Sequence, residues 1–444
     1  MSSCDESAVR KWVEAQMGGR VVECSRQPRW RPAYFLELER EDERLLLYFR
    51  GDRGISDSSH YALEHEMTCL QVLEAQGIPV PHVFGFCSEP RGILMECSPG
   101  RADLSTAHDE QEEQSVQRHY MEILAQIHAL DPEPFIQAGL KAPSDPDRLA
   151  LADLPLWERG YRRAKSQPEP LIEFGLLWLK RNVPPPADSA CFVCGDSGQF
   201  LFDDGRVTAV IDLELAHLGD PAEDLGALRS RDLSEPLGDL RRAIAAYEEF
   251  VGHPVDRFLI DYHTVRFSLT TPLATAPILT RARPGVDLIQ YLCWFHVYSR
   301  APMEVIAMAR NIELAPPTLP GDTSNRHTPF FDDLSQRLTP TAARDGFSGY
   351  AGQTAYRTAV YLARLNRYGP ALEADDIADI NELLGTRYQD RDRADDALET
   401  WILNASAEAD ADLVRLLHRR CLRQEVLLEP VLGEFAGARI QPLD

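Results

Sequence analysis

The chain has 444 residues, 44% hydrophobic and 26% charged, a balance typical of a folded protein with a substantial core in two or three lobes. Its formal net charge of -24 argues against a nucleic-acid or anionic-membrane surface, because phosphates would be repelled. It shows no secretory signal and no apolar run of membrane-helix length, and its nine cysteines are scattered, so we expect a cytoplasmic protein without nucleic-acid or membrane partners.

The first elements predict a helix followed by a small antiparallel sheet. Residues 6–17 have the spacing of an amphipathic helix, which the following glycine pair ends. Apolar stretches at 21–23, 34–38 and 45–50 then predict three strands. The sheet would form the core of an N-terminal lobe.

A turn rich in arginine joins the first two of these strands. Its sequence, SRQPRWRPA, contains no glycine and supplies Arg26, Arg29, Trp30 and Arg31. Guanidinium groups bind phosphate and carboxylate through paired N–H donors. The turn therefore either contacts a phosphate or substrate or is a solvated basic turn, and the sequence does not decide between them.

Arg50 and Glu66 are expected to form an ion pair. Arg50 ends the third strand, and Glu66 lies beside the apolar stripe of a predicted helix at 59–76. Because an unpaired charge at either position would be costly, we expect the two side chains to bind each other, although Glu66 could instead lie at the surface.

Two more strands lead to a break in the pattern. Residues 82–87 and 92–96 predict strands, and the CSPG sequence that follows ends the second one. Glu96 and Ser98 border this break.

The most informative stretch places two carboxylates at the ends of short strands. An apolar strand at 190–193 precedes Asp196, and a predicted hairpin of strands at 200–202 and 207–211 precedes Asp212. We expect both carboxylates at the mouths of neighbouring strands joined by that hairpin. Both could instead be ordinary turn and capping residues, but their combination with the following GDPAED sequence favours a functional site.

These residues suit phosphoryl transfer. That reaction needs one carboxylate to orient the attacking hydroxyl, and a second carboxylate with an amide oxygen to hold Mg²⁺ on the nucleotide phosphates. Asp196 fits the first role, and Gln199 with Asp212 the second. Glu214 is a further candidate metal ligand.

Other polar residues nearby are expected to have structural roles. Asp220 and Asp224 would fix the loop and cap the following helix. His128, in a predicted helix at 120–130, and His217 are expected to pack rather than to contact substrate.

The stretch from Cys194 to Asp224 resembles the aminoglycoside phosphotransferase family (APH, choline-kinase-like) of protein-kinase-like small-molecule kinases. The family's signature runs HGDxxxxN, then an Asp on the next strand, and IDLELAHLGDPAEDL closely matches its second half. Two positions depart from the signature. Cys194 replaces its His, and Gln199 stands three residues after Asp196 where the family has Asn five residues after.

The resemblance covers roughly residues 5–305 and implies an α+β fold of the two-lobe, protein-kinase-like type with a C-terminal helical extension. The implied domains are a small antiparallel β lobe over 1–98, a mainly helical lobe with the catalytic loop over 99–314, and a linker with a helical extension over 315–444.

The resemblance also implies cofactors and their binding residues. ATP or another nucleoside triphosphate would bind with Mg²⁺, and Arg50, positioned by Glu66, would grip the α- and β-phosphates. Glu96 and Ser98 would border the adenine site at the hinge between the lobes.

The C-terminal part carries helices but no chemical motif. An aromatic stripe recurs at helical spacing within predicted helices at 234–312 and is expected in the core, although in related kinases this region lines the acceptor pocket. A Pro-rich linker at 315–329 precedes further helices, among them two at 354–368 and 375–384. These last helices could pack on the large lobe or form a homodimer. The stripe consists of Tyr291, Trp294, Phe295 and Tyr298.

The leading hypothesis is an enzyme, an ATP- and Mg²⁺-dependent phosphotransferase acting on a hydroxyl of a small molecule, with Asp196 as the catalytic residue. The alternative is a catalytically impaired, nucleotide-binding pseudokinase with a regulatory or scaffold role, which Cys194, the short loop and the missing glycines favour. A helical interaction protein without nucleotide is a third reading. The resemblance leaves the substrate open among aminoglycosides, choline-like or homoserine-like metabolites, sugars and hydroxyacyl thioesters.

Overall fold

The computed structural model describes residues 5–29, 31–41, 43–53, 61–143, 146–151, 153–185, 190–282, 285–321, 323–342 and 346–443. Trp30 of the arginine-rich turn and the first two residues of the helix predicted at 59–76 lie outside the described residues. Within these ranges, no helix is both long and apolar enough to cross a membrane.

The elements are as follows. The strands are β1 (Arg20–Arg26), β2 (Ala33–Arg40), β3 (Glu43–Gly51), β4 (Val83–Ser88), β5 (Arg91–Glu96), β6 (Cys191–Val193), β7 (Phe200–Asp203), β8 (Arg206–Val210) and β9 (His217–Gly219). The helices are α1 (Glu6–Met17), α2 (Leu63–Ala75), α3 (Glu110–His128), α4 (Glu133–Gln137), α5 (Leu154–Ala164), α6 (Pro170–Arg181), α7 (Ala222–Arg231), α8 (Leu240–Val251), α9 (Arg257–Thr280), α10 (Leu288–Arg310), α11 (Thr328–Ala342), α12 (Gly346–Leu384), α13 (Arg391–Asn404) and α14 (Asp410–Leu428). The chain is therefore of the predicted α+β class, with an antiparallel sheet, a mainly helical remainder and a C-terminal helical extension.

The elements divide into two compact units. One contains residues 1–152, 185–256 and 443–444, and the other contains 153–184 and 257–442. The boundaries at 98/99 and 314/315 stay a prediction.

A five-stranded antiparallel sheet organises the first unit. Its strand order is β1-β2-β3-β5-β4. Burial alternates along β2, as expected for a strand with one face on the core. Val9 and Val13, one turn apart on α1, pack into the same core. That core contains Val9, Val13, Val21, Tyr34, Leu36, Leu38, Leu47, Phe49, Cys87 and Leu94.

The register between β2 and β3 brings the end of the arginine-rich turn beside Arg50. Ala33 is paired with Arg50, and the Gly51 N–H donates to Pro32 O at 2.8 Å. A Cβ atom at Gly51 would lie 2.7 Å from Pro32 O, so only glycine permits this close approach. Arg31 is thereby brought to the strand end that carries Arg50.

Two short sheets hold the segments around Asp196 and Asp212. As predicted, β7 and β8 form a hairpin, closed by Asp204 and Gly205 with φ of 47° and 72°. However, β6, which precedes Asp196, pairs with β9 and not with a hairpin strand. The expectation that both carboxylates follow neighbouring strands is wrong, because β6 finds its partner beyond the hairpin.

The second unit is helical. The aromatic stripe lies on α10. Tyr291 and Tyr298 are buried, as expected for core positions, whereas Trp294 and Phe295 are only half-buried. The two helices predicted at 354–368 and 375–384 form one continuous helix, α12, which passes through Pro370. Buried residues on both sides of the proline, Ala359 and Leu372 among them, offset the cost of a helix-interior proline, which is about 3 kcal/mol.

Candidate active site

A loop at 194–199 carries Asp196 and is anchored by a carboxylate from α7. The Cys194 and Gly195 N–H groups donate to the two oxygens of Asp224 at 2.8 and 2.9 Å. Gly195 has a φ of 78°, and a Cβ there would lie 2.2 Å from Leu215 O. The loop therefore depends on this glycine and on Asp224, which fixes it as predicted.

The thiol at the position of the signature histidine is inert. Cys194 is buried, and burial together with the negative charge of Asp224 raises its pKa well above the ordinary value. His128 instead contacts Asp224, with Nε2 3.0 Å from Oδ2, and places Nδ1 2.7 Å from the hydroxyl of Tyr247. His128 thus supports the carboxylate that holds the loop.

The other polar residues of the GDPAED stretch have structural contacts as well. His217 Nε2 lies 2.9 Å from Glu223 Oε2, and the Ala222 N–H donates to Asp220 Oδ1 at 2.8 Å. Asp220 thus binds the first N–H of α7, whereas Asp224 lies within α7 and holds the loop instead of capping the helix. His217 is committed to Glu223.

A tyrosine of α3 holds the shortened part of the loop. The Tyr120 hydroxyl lies 2.8 Å from Ser197 Oγ and accepts the Gly198 N–H at 2.7 Å. Its ring packs on Phe200, with 4.6 Å between ring centroids. The loop is therefore fixed on both sides of Asp196, by Asp224 before it and by Tyr120 after it.

Removal of this hydroxyl should impair the loop. In Tyr120→Phe the buried Gly198 N–H loses its acceptor, at a cost of about 1–3 kcal/mol. We expect kcat to fall about tenfold, since 1.4 kcal/mol of lost positioning corresponds to that factor, with little change in nucleotide binding. The matched control is Tyr161→Phe, which removes another buried tyrosine hydroxyl, 3.3 Å from Glu173. An unchanged kcat in Tyr120→Phe would show that Tyr120 does not position the loop.

Asp196 is held by two side chains. Arg231 donates to both carboxylate oxygens, from Nε to Oδ1 at 3.1 Å and from Nη2 to Oδ2. The Gln199 amide donates to Oδ2 at 2.9 Å. The sequence analysis missed Arg231, although it lies on α7 seven residues after Asp224, two turns along the same face. That spacing is the signal that could have found it.

The pKa of Asp196 is raised to about 6. Burial is the main cause, the guanidinium of Arg231 opposes it, and the negative charge of Asp212 adds to it. Asp196 therefore titrates near neutral pH, and Asp212 lies within its electrostatic reach.

Arg50 is the centre of a buried ion-pair network. Its Nε donates to Glu66 Oε2 at 2.8 Å, the predicted pairing, and its Nη2 donates to Asp212 Oδ1. Burial favours the protonated form of Asp212, but Arg50 outweighs it and holds the pKa of that carboxyl below its ordinary value. Asp212 has a φ of 60°, a left-handed conformation that Asp tolerates better than most residues.

Arginines converge on Glu214 from three places in the chain. Arg31 Nη2 donates to Glu214 Oε2, Arg53 Nη2 donates to Oε1 at 2.7 Å, and Arg50 Nη2 lies 3.5 Å from Oε2. Against the effect of burial, the positive charges of Arg53, Arg31 and Arg50 hold the pKa of Glu214 far below its ordinary value. Glu214 is therefore ionised at neutral pH.

Glu96 and Ser98 lie apart from these carboxylates, at the end of β5. The Glu96 side chain is exposed, its N–H donates to His82 O at 2.8 Å, and Ser98 is half-buried. Beyond them, Arg101 and Phe202 exchange two backbone hydrogen bonds of 2.9 Å, which tie the segment to the β7–β8 hairpin.

The structure thus brings most of the predicted residues into two adjoining groups. Arg50, Glu66, Asp212 and Glu214 share one ion-pair network, while Gln199 contacts Asp196. In the described part of the chain, no group of three or more His, Cys, Asp or Glu side chains is arranged to hold a metal ion.

Comparison with known proteins identifies the family of the chain. The family model described as "Phosphotransferase enzyme family" (APH) matches residues 30–266, more than half of the chain. The chain belongs to the phosphotransferase enzyme family. The resemblance predicted from Cys194–Asp224 is confirmed, and the matched region includes both groups of the candidate site.

Curated proteins that are similar to this chain are much longer than it is. Acyl-CoA dehydrogenase family member 10 of Mus musculus is 26% identical over 210 residues, which cover 44% of this chain and 19% of that protein. Acyl-CoA dehydrogenase family member 11 of Gallus gallus is 28% identical over 176 residues, which cover 37% of this chain and 22% of that protein. The chain spans about a fifth of the length of these curated relatives.

Solved structures of phosphotransferases are also similar. Macrolide 2'-phosphotransferase MphH from Brachybacterium faecium is 21% identical with a TM-score of 0.46, covering 63% of this chain and 94% of that chain. A thermostable mutant of aminoglycoside phosphotransferase APH(4)-Ia, in a ternary complex with ADP and hygromycin B, is 16% identical with a TM-score of 0.47, covering 66% of this chain and 98% of that chain.

Proposed function

We propose that this phosphotransferase-family chain transfers a phosphoryl group from ATP, with Mg²⁺, to a hydroxyl of a small molecule. The observation that carries the proposal is the environment of Asp196, a half-buried carboxylate with a pKa of about 6, held on both oxygens by Arg231 and close to the ionised Asp212. A base of this kind accepts a proton from an acceptor hydroxyl efficiently near neutral pH. Asp196 is therefore the proposed catalytic residue.

Arg50 is the proposed phosphate-binding residue. Its guanidinium is buried, permanently charged and oriented by Glu66 at 2.8 Å. Glu66 acts by positioning Arg50, while Glu96 and Ser98 are proposed to border the adenine.

Gln199, Asp212 and Glu214 would hold Mg²⁺. Mg²⁺ binds through one or two carboxylates together with water and substrate phosphates, so two ionised carboxylates and an amide oxygen fit its preferences. When bound, Mg²⁺ neutralises charge on the transferred phosphoryl group.

The pH dependence of activity tests the role of Asp196. Because the ionised carboxylate accepts the proton and its pKa is about 6, kcat/KM should rise with pH through an apparent pKa near 6 and level off above it. The measurement is the pH profile of kcat/KM between about pH 5 and 8 in buffers of constant ionic strength. A profile flat across this range would count against Asp196 as the base.

The test of the function itself has two stages. Thermal unfolding with and without Mg²⁺-ATP reports nucleotide binding, and ADP release is then measured against a panel of hydroxylated small molecules. The panel contains aminoglycosides, choline-like and homoserine-like compounds, sugars and hydroxyacyl-CoA thioesters. The last class is suggested by the names of the curated relatives, which refer to acyl-CoA. Stabilisation by Mg²⁺-ATP with ADP release that depends on one class would support the proposal.

A nucleotide-binding pseudokinase is the second candidate, and one contact favours it. Arg231 donates to both oxygens of Asp196, which leaves fewer lone pairs for an acceptor hydroxyl. Stabilisation by Mg²⁺-ATP without ADP release for any acceptor would favour this reading. Absence of any effect of nucleotide would leave a helical interaction protein, and homodimer formation through the C-terminal helices stays a prediction.

A further inference from the structure

Arg31 is a buried arginine with unused hydrogen-bond donors. Its residue surface is 5% exposed, and in the described ranges its Nε and Nη1 have no hydrogen-bond partner. Among the described residues, Glu214 is the hydrogen-bond partner of Arg31, and it binds Nη2. A guanidinium has five N–H donors, and leaving them unsatisfied in the interior is costly unless a ligand supplies acceptors.

Arg29, a second arginine of the turn, has a different environment. Arg29 is half-buried, and its Nη1 lies 3.5 Å from Oε1 of Gln27, a residue of the same turn. Arg31, in contrast, is directed to Glu214 by the β2–β3 register, which places it beside Arg50.

The positive and negative charges around Glu214 balance while its carboxylate is paired with arginine. Arg31, Arg50 and Arg53 face three carboxylates, those of Glu66, Asp212 and Glu214. If Asp212 and Glu214 turn to Mg²⁺, the arginines lose counter-ions that phosphate oxygens can replace. Arginine binds phosphate through the same paired N–H donors that it presents to a carboxylate.

We propose that Arg31 is a phosphate-binding residue of the nucleotide site, which exchanges Glu214 for oxygens of the nucleotide's polyphosphate. In glycine-rich turns, backbone N–H groups bind the phosphates. In this turn, which has no glycine, the Arg31 side chain would bind them instead. The inference rests on the proposed function, since it requires a nucleotide at this site. Glu214 acts as the internal anion that keeps Arg31 in place before the nucleotide binds.

The test is calorimetric titration of the full chain with ATP, ADP, AMP and adenosine in the presence of Mg²⁺. Arg31→Gln should raise the Kd of ATP and ADP about tenfold or more, the effect of losing a charged hydrogen bond, and leave the Kd of adenosine unchanged. Arg31→Lys, which keeps the charge but not the fork, should give a smaller increase. The matched control is Arg44→Gln, from the same sheet, where Arg44 is exposed and pairs with Glu37 and Glu39 at 2.6 and 2.9 Å. It removes one positive charge and should leave all four Kd values unchanged.

The outcomes separate the two levels of the argument. Wild-type chain that binds none of the nucleotides would overturn the proposed function and this inference together. Wild-type binding that Arg31→Gln and Arg31→Lys leave unaltered would overturn the inference alone. If Arg31→Gln weakened the binding of adenosine as much as that of ATP, Arg31 would be structural. If it raised only the KM of an anionic acceptor, Arg31 would bind the acceptor instead. Thermal unfolding of each variant checks that it is folded. If Arg31→Gln does not fold, Arg31→Lys still tests the inference.

Discussion

Asp196→Asn should lower kcat by roughly 10²–10⁴-fold, the contribution expected of a general base. The amide has nearly the same shape, and its oxygen can still accept from Arg231 Nη2 and Gln199. Its NH2 group, however, cannot accept from Arg231 Nε, and the residue cannot accept the proton of the acceptor hydroxyl. Nucleotide binding should remain close to that of the wild type. The measurement is ADP release at saturating acceptor and nucleotide, with the Kd of Mg²⁺-ATP determined in parallel.

The control for this variant is Asp203→Asn. Asp203 lies at the end of β7, in the hairpin that follows the loop, and its side chain is exposed. It removes one negative charge near the site without touching Asp196, so kcat should stay within about twofold of the wild type, as for ordinary surface substitutions. If Asp196→Asn kept comparable activity, Asp196 would not be the base. A wild-type chain that binds Mg²⁺-ATP but releases no ADP with any acceptor would instead support the pseudokinase hypothesis.

Local chemistry made much of the fold predictable. The helix expected at 6–17 is present as Glu6–Met17, because its apolar spacing and the following glycines act within a few residues. The Asp203-Asp204-Gly205 turn was predictable for the same reason, since positive φ angles select Gly and Asp. The Arg50–Glu66 pair was expected from the family resemblance together with the cost of burying either charge alone.

Features that depend on tertiary register could not be predicted in the same way. A three-residue strand such as β6 carries too little pattern to reveal that its partner is β9. The convergence of Arg31 and Arg53 on Glu214 depends on the pairing of β2 with β3 and on where Glu214 lies in three dimensions. The turn sequence could therefore name the arginines but not choose among them.

The departures from the family signature also become interpretable in the structure. The short loop is held by Tyr120 at Ser197 and Gly198. Support for Asp224 comes from His128 on α3, while Cys194 stands in the loop itself. The short loop and the replacement of the signature histidine by Cys194 thus occur where Tyr120 and His128, from outside the loop, support it.

Arg50→Met should have the largest effect on stability. It leaves Glu66 and Asp212 in the interior without their shared counter-ion, and breaking a buried pair in this way costs about 3–5 kcal/mol in the free energy of unfolding. The loss should depend on pH. Because Arg50 holds the pKa of Asp212 below its unfolded value, near 3.9, this stabilisation is present above that value and disappears as pH falls through the lower folded pKa. The gap between wild type and variant should therefore be full at pH 7 and narrow below about pH 4.

Chemical denaturation at pH 7 and at acid pH measures this difference, and Arg91→Met provides the comparison. Arg91 lies on β5 of the same sheet and also bridges two carboxylates, Asp52 and Glu64, but its side chain is 41% exposed. An exposed pair contributes only about 0–1 kcal/mol, so Arg91→Met should unfold close to the wild type at both pH values. If Arg50→Met behaved like Arg91→Met, Arg50 would not be the common counter-ion of the site. Its proposed role in binding phosphate would then lose its structural basis, because Glu66 and Asp212 would not fix the position of its guanidinium.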